Sequence, residues 1–298
     1  YMIRKLQLPI LGLLLIGGFI VRLYKINNPI ADWHSWRQAD TSAVTRNFIK
    51  YGVHPLLPRY DDMTALSDAG FNLQTYRLVE FPLFNLVHYL FNHLGSKIFP
   101  YSLETWGRMV SVIASLVSAT CIFFLVKRHL SVPAGLFSAA VYLFLPFNIY
   151  FSRVVLPDPL MVALALASLL SFDMSKKWLA YLLAMLAVLV KPTAIFLLLP
   201  VIFSWRLAAV VVVAPFIVWR MWQQLHPQGI PGSQWLLNGD HIRFKGAFFR
   251  WIFADRLGRQ ILGYWGLWPA LNGLLELPKS LLWLVGGSVL YLFIFATG

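Results

Sequence analysis

Cysteine and charge are the two things this chain has little of. A single cysteine, Cys121, among 298 residues excludes an intramolecular disulfide framework. Charged residues make up 12% of the chain, about half the usual share of a soluble domain. Acids are the scarcer sign, 12 against 25 Lys and Arg. No HExxH or comparable metal spacing, no GxxxxGKS loop and no dinucleotide fingerprint is present. Internal repeats and low-complexity tracts are also missing, which weighs against the inverted-repeat architecture of many transporters. No cleavable leader is expected, because the first apolar run is too long and lacks a small-residue cleavage site.

What fills the space is apolar. Hydrophobic residues reach 59%, aromatics 16%, and the mean hydropathy is +0.67. Apolar runs near spanning length recur from end to end, so the composition predicts an all-α polytopic membrane protein. The net charge of +13 would suggest nucleic acid in a soluble protein. Here no nucleic-acid motif accompanies it, and anionic lipid phosphates are the partners it fits.

Spans are expected near residues 6–24, 106–126, 133–151, 158–174, 178–190, 193–205, 207–221, 260–277 and 280–297, about nine in one domain covering 1–298. Arg4 and Lys5 before the first span, and the short-loop pairs Lys127-Arg128 and Lys176-Lys177, put the N-terminus on the cytoplasmic side. Two long loops, 25–104 and 222–258, then lie outside. In the first loop, the stretch 80–94 reads as a helix lying in the interface, with His88 and His93 near the headgroups. A second interfacial helix is expected after Asp40-Thr41, from Val44, Phe48 and Tyr51 at helical spacing. The remaining surplus of Lys and Arg outside calls for an anionic ligand there.

The stretch Ala31 to Thr41 concentrates the chemistry: Asp32, Trp33, His34, Trp36, Arg37 and Asp40 follow directly on the first apolar run. On this reading Asp32, Asp40, Asp61, Asp62, Asp68, Glu80, Glu104, Asp158, Asp240 and Asp255 all fall on the outer side, close to apolar boundaries where ionisable groups are costly and usually functional. A carboxylate there suits a general base. Plainer roles compete. Asp40 could N-cap a helix starting at Thr41, Arg37 could pair with Asp32 or Asp40, Trp33 and Trp36 could be interface aromatics, and Lys191 could snorkel. His34 could bridge loop and headgroup.

Together these residues resemble the GT-C glycosyltransferases, and within them the family-39 and galacturonosyltransferase-like enzymes, protein O-mannosyltransferases and the lipid A aminoarabinose transferase. The resemblance runs over residues 6–205 and more weakly to 277. The acidic motif that opens the family's first outer loop is matched by Asp32, with Asp40 a second candidate, and an arginine of the following helix by Arg46. Glu80-Phe81-Pro82 matches a Glu-x-Pro element, Arg108 an arginine at the start of the next span, Arg153 and Asp158 an Arg-then-acid element, and Lys191-Pro192 a Lys-Gly or Lys-Pro turn. The chain departs from the pattern in three places. The usual Asp-Glu pair is absent, Phe81 stands where the aminoarabinose enzymes carry lysine, and Gly298 follows directly on a span where relatives commonly continue.

The resemblance implies a GT-C helix bundle in the inner membrane and an inverting transfer of a sugar from a polyprenyl-phosphate carrier to a hydroxyl of a lipid, glycan or protein on the outer face. Asp32 or Asp40 would be the base. His34, Arg37, Arg46, Glu80, Arg108, Arg153, Asp158 and Lys191 would line the substrate, and Arg243, Lys245 and Arg250 would supply the cation that Phe81 lacks. A divalent metal is compatible with the resemblance, although no spacing requires one. The competing classes are a multi-span transporter or flippase of envelope precursors, and a GT-C-like assembly partner without catalysis.

Overall fold

A computed structural model describes residues 2–232 and 241–294. The helices in chain order are α1 (Met2–Arg22), α2 (Ser35–Tyr51), α3 (Leu83–Gly95), α4 (Leu103–His129), α5 (Val132–Phe144), α6 (Pro146–Phe151), α7 (Asp158–Asp173), α8 (Lys177–Val190), α9 (Leu199–Ile202), α10 (Ala208–Gln223), α11 (Gly246–Phe249), α12 (Tyr264–Leu275) and α13 (Leu282–Ile294). A 3-10 turn covers Pro192–Leu197, and π-helical backbone runs over Arg250–Leu262. The described residues contain no β-strand, only two isolated bridges, Arg59 with Tyr76 and Ala65 with Phe71.

The all-helical expectation holds, and the expected spans are reshaped. Among the described residues α4 alone is long and apolar enough to cross a membrane; Leu6–Arg22, α5, α8, α10 and α13 are apolar but shorter. Proline accounts for much of the difference. The run 133–151 breaks at Leu145, whose ψ of 122° leaves the helix just before Pro146, as expected for a residue that precedes proline. The run 193–205 is divided between the 3-10 turn after Pro192 and the four-residue α9, which contains Pro200. The expected span 280–297 extends past the described residues.

The core lies between α7, α8, the 3-10 turn, α9 and α10, where Ala165, Ala180, Ala184, Ala187 and Val188 have no exposed surface. Small side chains let helix backbones approach closely, and Ser168 Oγ donates across the gap to Ala180 O at 2.7 Å. Outward faces are apolar too: Leu8, Leu13, Ile16 and Ile20 of α1 are exposed. Arg22 closes the end of α1, fully buried, donating to Gly18 O, Leu143 O and Ser152 Oγ at 2.8, 2.9 and 2.6 Å.

Polar contacts sort the helix ends into two sets. Arg128 and His129 meet Asp173, His129 at 3.3 Å, beside an apolar cavity of about 510 Å³ between α4, α7 and the start of α13. At the opposite end Arg153 reaches Tyr24 O and Lys191 reaches Asp158. The long loop after α2 lies at this second end and is held by the segment after α10. Trp222 Nε1 donates to Leu56 O at 3.0 Å, Gln223 Nε2 to Val79 O at 3.2 Å, and Leu78 N to Gly229 O at 2.9 Å. Residues 222–232 therefore pack with the first long loop as one layer. Asp240 lies outside the described residues.

Beneath that layer α3 packs on α4 with no slack. A Cβ on Gly107 would stand 2.7 Å from the His88 ring and 2.8 Å from Val155 Cγ1. His88 is fully buried, its Nε2 on Leu103 O at 2.8 Å and its Nδ1 without a partner. A second ring proton would have nowhere to go, and burial pushes its pKa down to about 4 from 6.5. In the unfolded chain the ring still protonates near 6.5, so this contribution to stability is complete above that pH and is lost as the pH falls toward 4. The full difference is roughly 3 kcal/mol. Thermal unfolding in detergent should show the melting temperature dropping between pH 7 and 4, with a shallower drop in His88→Gln. An equally steep drop in that variant would remove His88 as the cause.

Candidate functional site

Helix α2 begins earlier than its sequence suggests, and this decides the role of Asp40. Its first residue is Ser35, and the preceding His34 adopts a left-handed conformation (φ 58°) without a side-chain cap. Asp40 lies in the second turn, so it is not the cap of a helix starting at Thr41. Its carboxylate instead meets Arg77 at 3.0 Å. Burial raises the Asp40 pKa, and the attraction of Arg77 and Arg37 offsets this only in part. Arg77 was not singled out by the sequence. It is mostly buried, its guanidinium 5.1 Å from the centre of the Tyr60 ring.

Three ion pairs follow one another here. Arg37 donates to both oxygens of Glu80 at 2.7 and 2.6 Å. Asp40 has Arg77, and Asp158 accepts from Lys191 Nζ at 2.6 Å. The pairs sense one another: Asp158 acts on Arg37, and Glu80 on both Lys191 and Arg77. Burial opposes the charge on Arg37, yet the Glu80 pair outweighs it and lifts its pKa above the ordinary value. A cavity beside the pairs, lined by Arg37, Thr41, Arg77, Glu80 and Pro157 among others, measures about 30 Å³. That volume has room for a water molecule.

Asp32 stands apart from this neutralised group. It is exposed on the turn before α2, where Ser35 N bonds Asp32 O at 3.0 Å. Its Oδ1 accepts from Gln38 Nε2 at 2.7 Å. The Tyr150 hydroxyl is in reach of the carboxylate and lies 3.3 Å from Trp33 O. Arg108 feels the charges of both Asp32 and Arg153, and so does the Tyr150 hydroxyl. Arg108 is buried and spent on backbone, its Nη1 reaching Ile26 O at 2.8 Å and also Asn28 O, and its Nη2 reaching Pro29 O at 3.4 Å. It holds the loop that leads to Asp32. Arg153 is partly exposed, donates to Tyr24 O and lies over the rings of Tyr24 and Tyr150 at 5.7 and 5.9 Å. A guanidinium has five N–H donors, so Arg153 keeps capacity for an anion.

The expected site residues thus separate. Asp32, Arg108 and Arg153 come together. His34 is exposed beside Asp32, its ring 6.3 Å from Phe151. Arg37, Asp40, Glu80, Asp158 and Lys191 form the ion-pair group. Arg46 pairs with Asp61, both about half exposed, some 13 Å along α2 from Arg37 at 1.5 Å per residue, and joins neither set. Lys245 and Arg250 are exposed, where α11 leads into the π-helical segment that packs near α6. Among the described residues no group of three or more His, Cys, Asp or Glu side chains is arranged to hold a metal ion.

Comparison with known families gives a match over part of the chain. Residues 84–225 match the family model described as dolichyl-phosphate-mannose-protein mannosyltransferase. The matched stretch is a little under half of the chain and runs from α3 to just past α10, so it includes Arg108, Arg153, Asp158 and Lys191 but not Asp32, Arg37, Asp40 or Glu80. No curated protein and no solved structure matches the chain.

The ion-pair group has a direct test. Arg37 and Glu80 are each less than one-fifth exposed, so removing either leaves a charge in a poorly solvated place, at a cost of roughly 3 kcal/mol. Arg37→Met and Glu80→Met should each lower stability by about that much, and the double variant should cost less than the sum by about 1–3 kcal/mol. Denaturant unfolding of the three variants measures this. Strict additivity would mean that the pair does not act as one unit.

Proposed function

We propose that the chain is a membrane glycosyltransferase of the GT-C type that moves a sugar from a polyprenyl-phosphate carrier to an acceptor hydroxyl at the outer face of the cell membrane. The observation that carries this reading is Asp32: an exposed carboxylate with one oxygen held, next to an arginine with donors to spare, at the end of the bundle opposite Arg128, His129 and Asp173. The family match downstream of it supports the reaction class. The exposed apolar faces of α1 and the other apolar helices support a polytopic membrane chain; the short-loop basic pairs Lys127-Arg128 and Lys176-Lys177 support placing the two long loops outside.

In this mechanism the acceptor O–H gives its proton to Asp32 as its oxygen attacks the anomeric carbon. The bond from that carbon to the carrier phosphate breaks, with inversion, and the electron pair leaves on the phosphate oxygen. The departing lipid phosphate is stabilised by the charge of Arg153 rather than by proton donation. Arg243, Lys245 and Arg250 are the reading's further phosphate contacts, and His34 a contact to the acceptor. The ion pairs around Arg37 keep the backbone beside the site in position, and Asp158 and Lys191, paired but partly exposed, border it. No step requires a metal.

Asp32→Asn should lower single-turnover transfer from a radiolabelled polyprenyl-phosphate sugar by about 10²–10⁴-fold at an unchanged melting temperature. Asp40→Asn should lose stability through the stranded Arg77 and keep much of its turnover. An active Asp32→Asn beside a stable, inactive Asp40→Asn would move the base to Asp40. Sidedness is tested separately. The native Cys121 is buried, so a cysteine at Ser67 should react with an impermeant thiol reagent in intact cells and one at Ser175 should not. The reverse pattern would invert the topology.

A further inference from the structure

Gln38 is the fully buried side chain that touches both halves of the open site. Its Nε2 donates to Asp32 Oδ1 at 2.7 Å and to Trp33 O at 3.1 Å. Its Oε1 accepts the backbone N–H of Val155 at 3.1 Å. Three of the four hydrogen-bonding positions of the amide are therefore used. Its orientation is unambiguous, because rotating the amide by half a turn would set an oxygen against a carboxylate and a carbonyl, and an N–H against an N–H. Residues 38 and 155 are 117 positions apart in the chain.

The two things Gln38 joins are different in kind. On one side is the turn that carries Asp32. On the other is the segment after α6, in which Val155 follows two residues behind Arg153 and five behind Tyr150. Nearby contacts stiffen that segment: Ser111 Oγ donates to Val154 O at 2.6 Å, and Val155 packs with Phe84 and Val110. An inverting transfer needs the base and the phosphate-holding cation at a fixed separation, on opposite sides of the reacting carbon. Small displacements matter there, since about 1 Å of misplacement can cost about 10²-fold in rate.

We infer that Gln38 is a positioning residue for the transfer: it fixes Oδ1 of Asp32, leaves Oδ2 as the proton acceptor, and sets the distance between that base and Arg153. This rests on the reading of Asp32 as the base.

The test uses the full chain in detergent with a polyprenyl-phosphate sugar and an acceptor, and compares Gln38→Met with Gln38→Glu. Methionine keeps the volume and removes the hydrogen bonds, so packing is retained where alanine would leave a void. The single-turnover rate of Gln38→Met should fall by about 10²-fold, with donor affinity within about a factor of two by the same comparison of a remote brace with a direct contact. Gln38→Glu keeps an acceptor for the Val155 N–H but offers Asp32 a carboxylate in place of the donor, so its rate should fall at least as far. A loss of donor affinity in Gln38→Met as large as its loss of rate would reduce Gln38 to a packing residue, and an unchanged rate in both variants would remove it from the site. Either result, with Asp32→Asn inactive, sinks this inference alone; an active Asp32→Asn sinks it together with the assignment of the base.

Discussion

The guanidinium of Arg37, donating to both oxygens of Glu80, ties the start of α2 to the turn that opens α3, and much of the charged end depends on that tie. With Arg37 fixed, Gln38 next to it is directed into the protein toward Val155, and Asp40 one turn further on faces Arg77. Asn85 of α3 completes the joint by donating to Thr41 O and Thr45 Oγ1 at 2.7 and 3.0 Å. A carboxylate at a membrane boundary is costly without a partner. In the ion-pair group each acid has its own cation, whereas the neighbouring Asp32 is held by an amide instead. The proposed function lies in that contrast: a set of charges paired with one another beside a carboxylate that is not.

The same contrast explains the shape of the site. The space beside Arg37, Arg77 and Glu80 holds about 30 Å³, whereas Asp32 and the partly exposed Arg153 border solvent. The proposed site lies at the turn before α2 and the segment after α6. Both are loops, and both are held by buried groups on rigid helices: Arg108 from α4 on the carbonyls of Ile26, Asn28 and Pro29, and Ser111 from α4 on Val154 O. Loops positioned by a rigid scaffold are the usual place for chemistry. Here α4, which is also the longest apolar helix, supplies that scaffold.

How far the sequence could be read depended on the range of each interaction. Composition and apolar runs were enough for an all-helical chain, and α3 and α4 fall close to where periodicity and local signals put them. Ser102, for example, caps α4 through its own hydroxyl on Thr105 N. The start of α2 was misread because Asp40 has the chemistry of a cap. What draws the helix back to Ser35 is the burial of Gln38 and the half-buried pairing of Arg37, with partners 117 and 43 residues away, and no local rule carries that information. The expected spans that shortened did so at Pro146, Pro192 and Pro200, where proline was visible but its consequence depended on packing. Asp158 and Lys191, matched through a resemblance, do meet at 2.6 Å. Arg153, although close to Asp158 in sequence, sides with Asp32 instead. Arg77 and Tyr150 carried no periodicity or motif to mark them.

The claim on which the account turns is that Asp32 removes the proton from the acceptor, and chemical rescue tests it most directly. In Asp32→Ala the carboxylate is missing while the neighbouring Arg153 and Gln38 remain, leaving room for a small exogenous acid at an exposed position. The account predicts that formate and acetate restore single-turnover transfer in Asp32→Ala, in proportion to the basicity of the added carboxylate as expected of a general base, and leave Asp40→Ala unaffected. Rescue of Asp40→Ala with none in Asp32→Ala would contradict it.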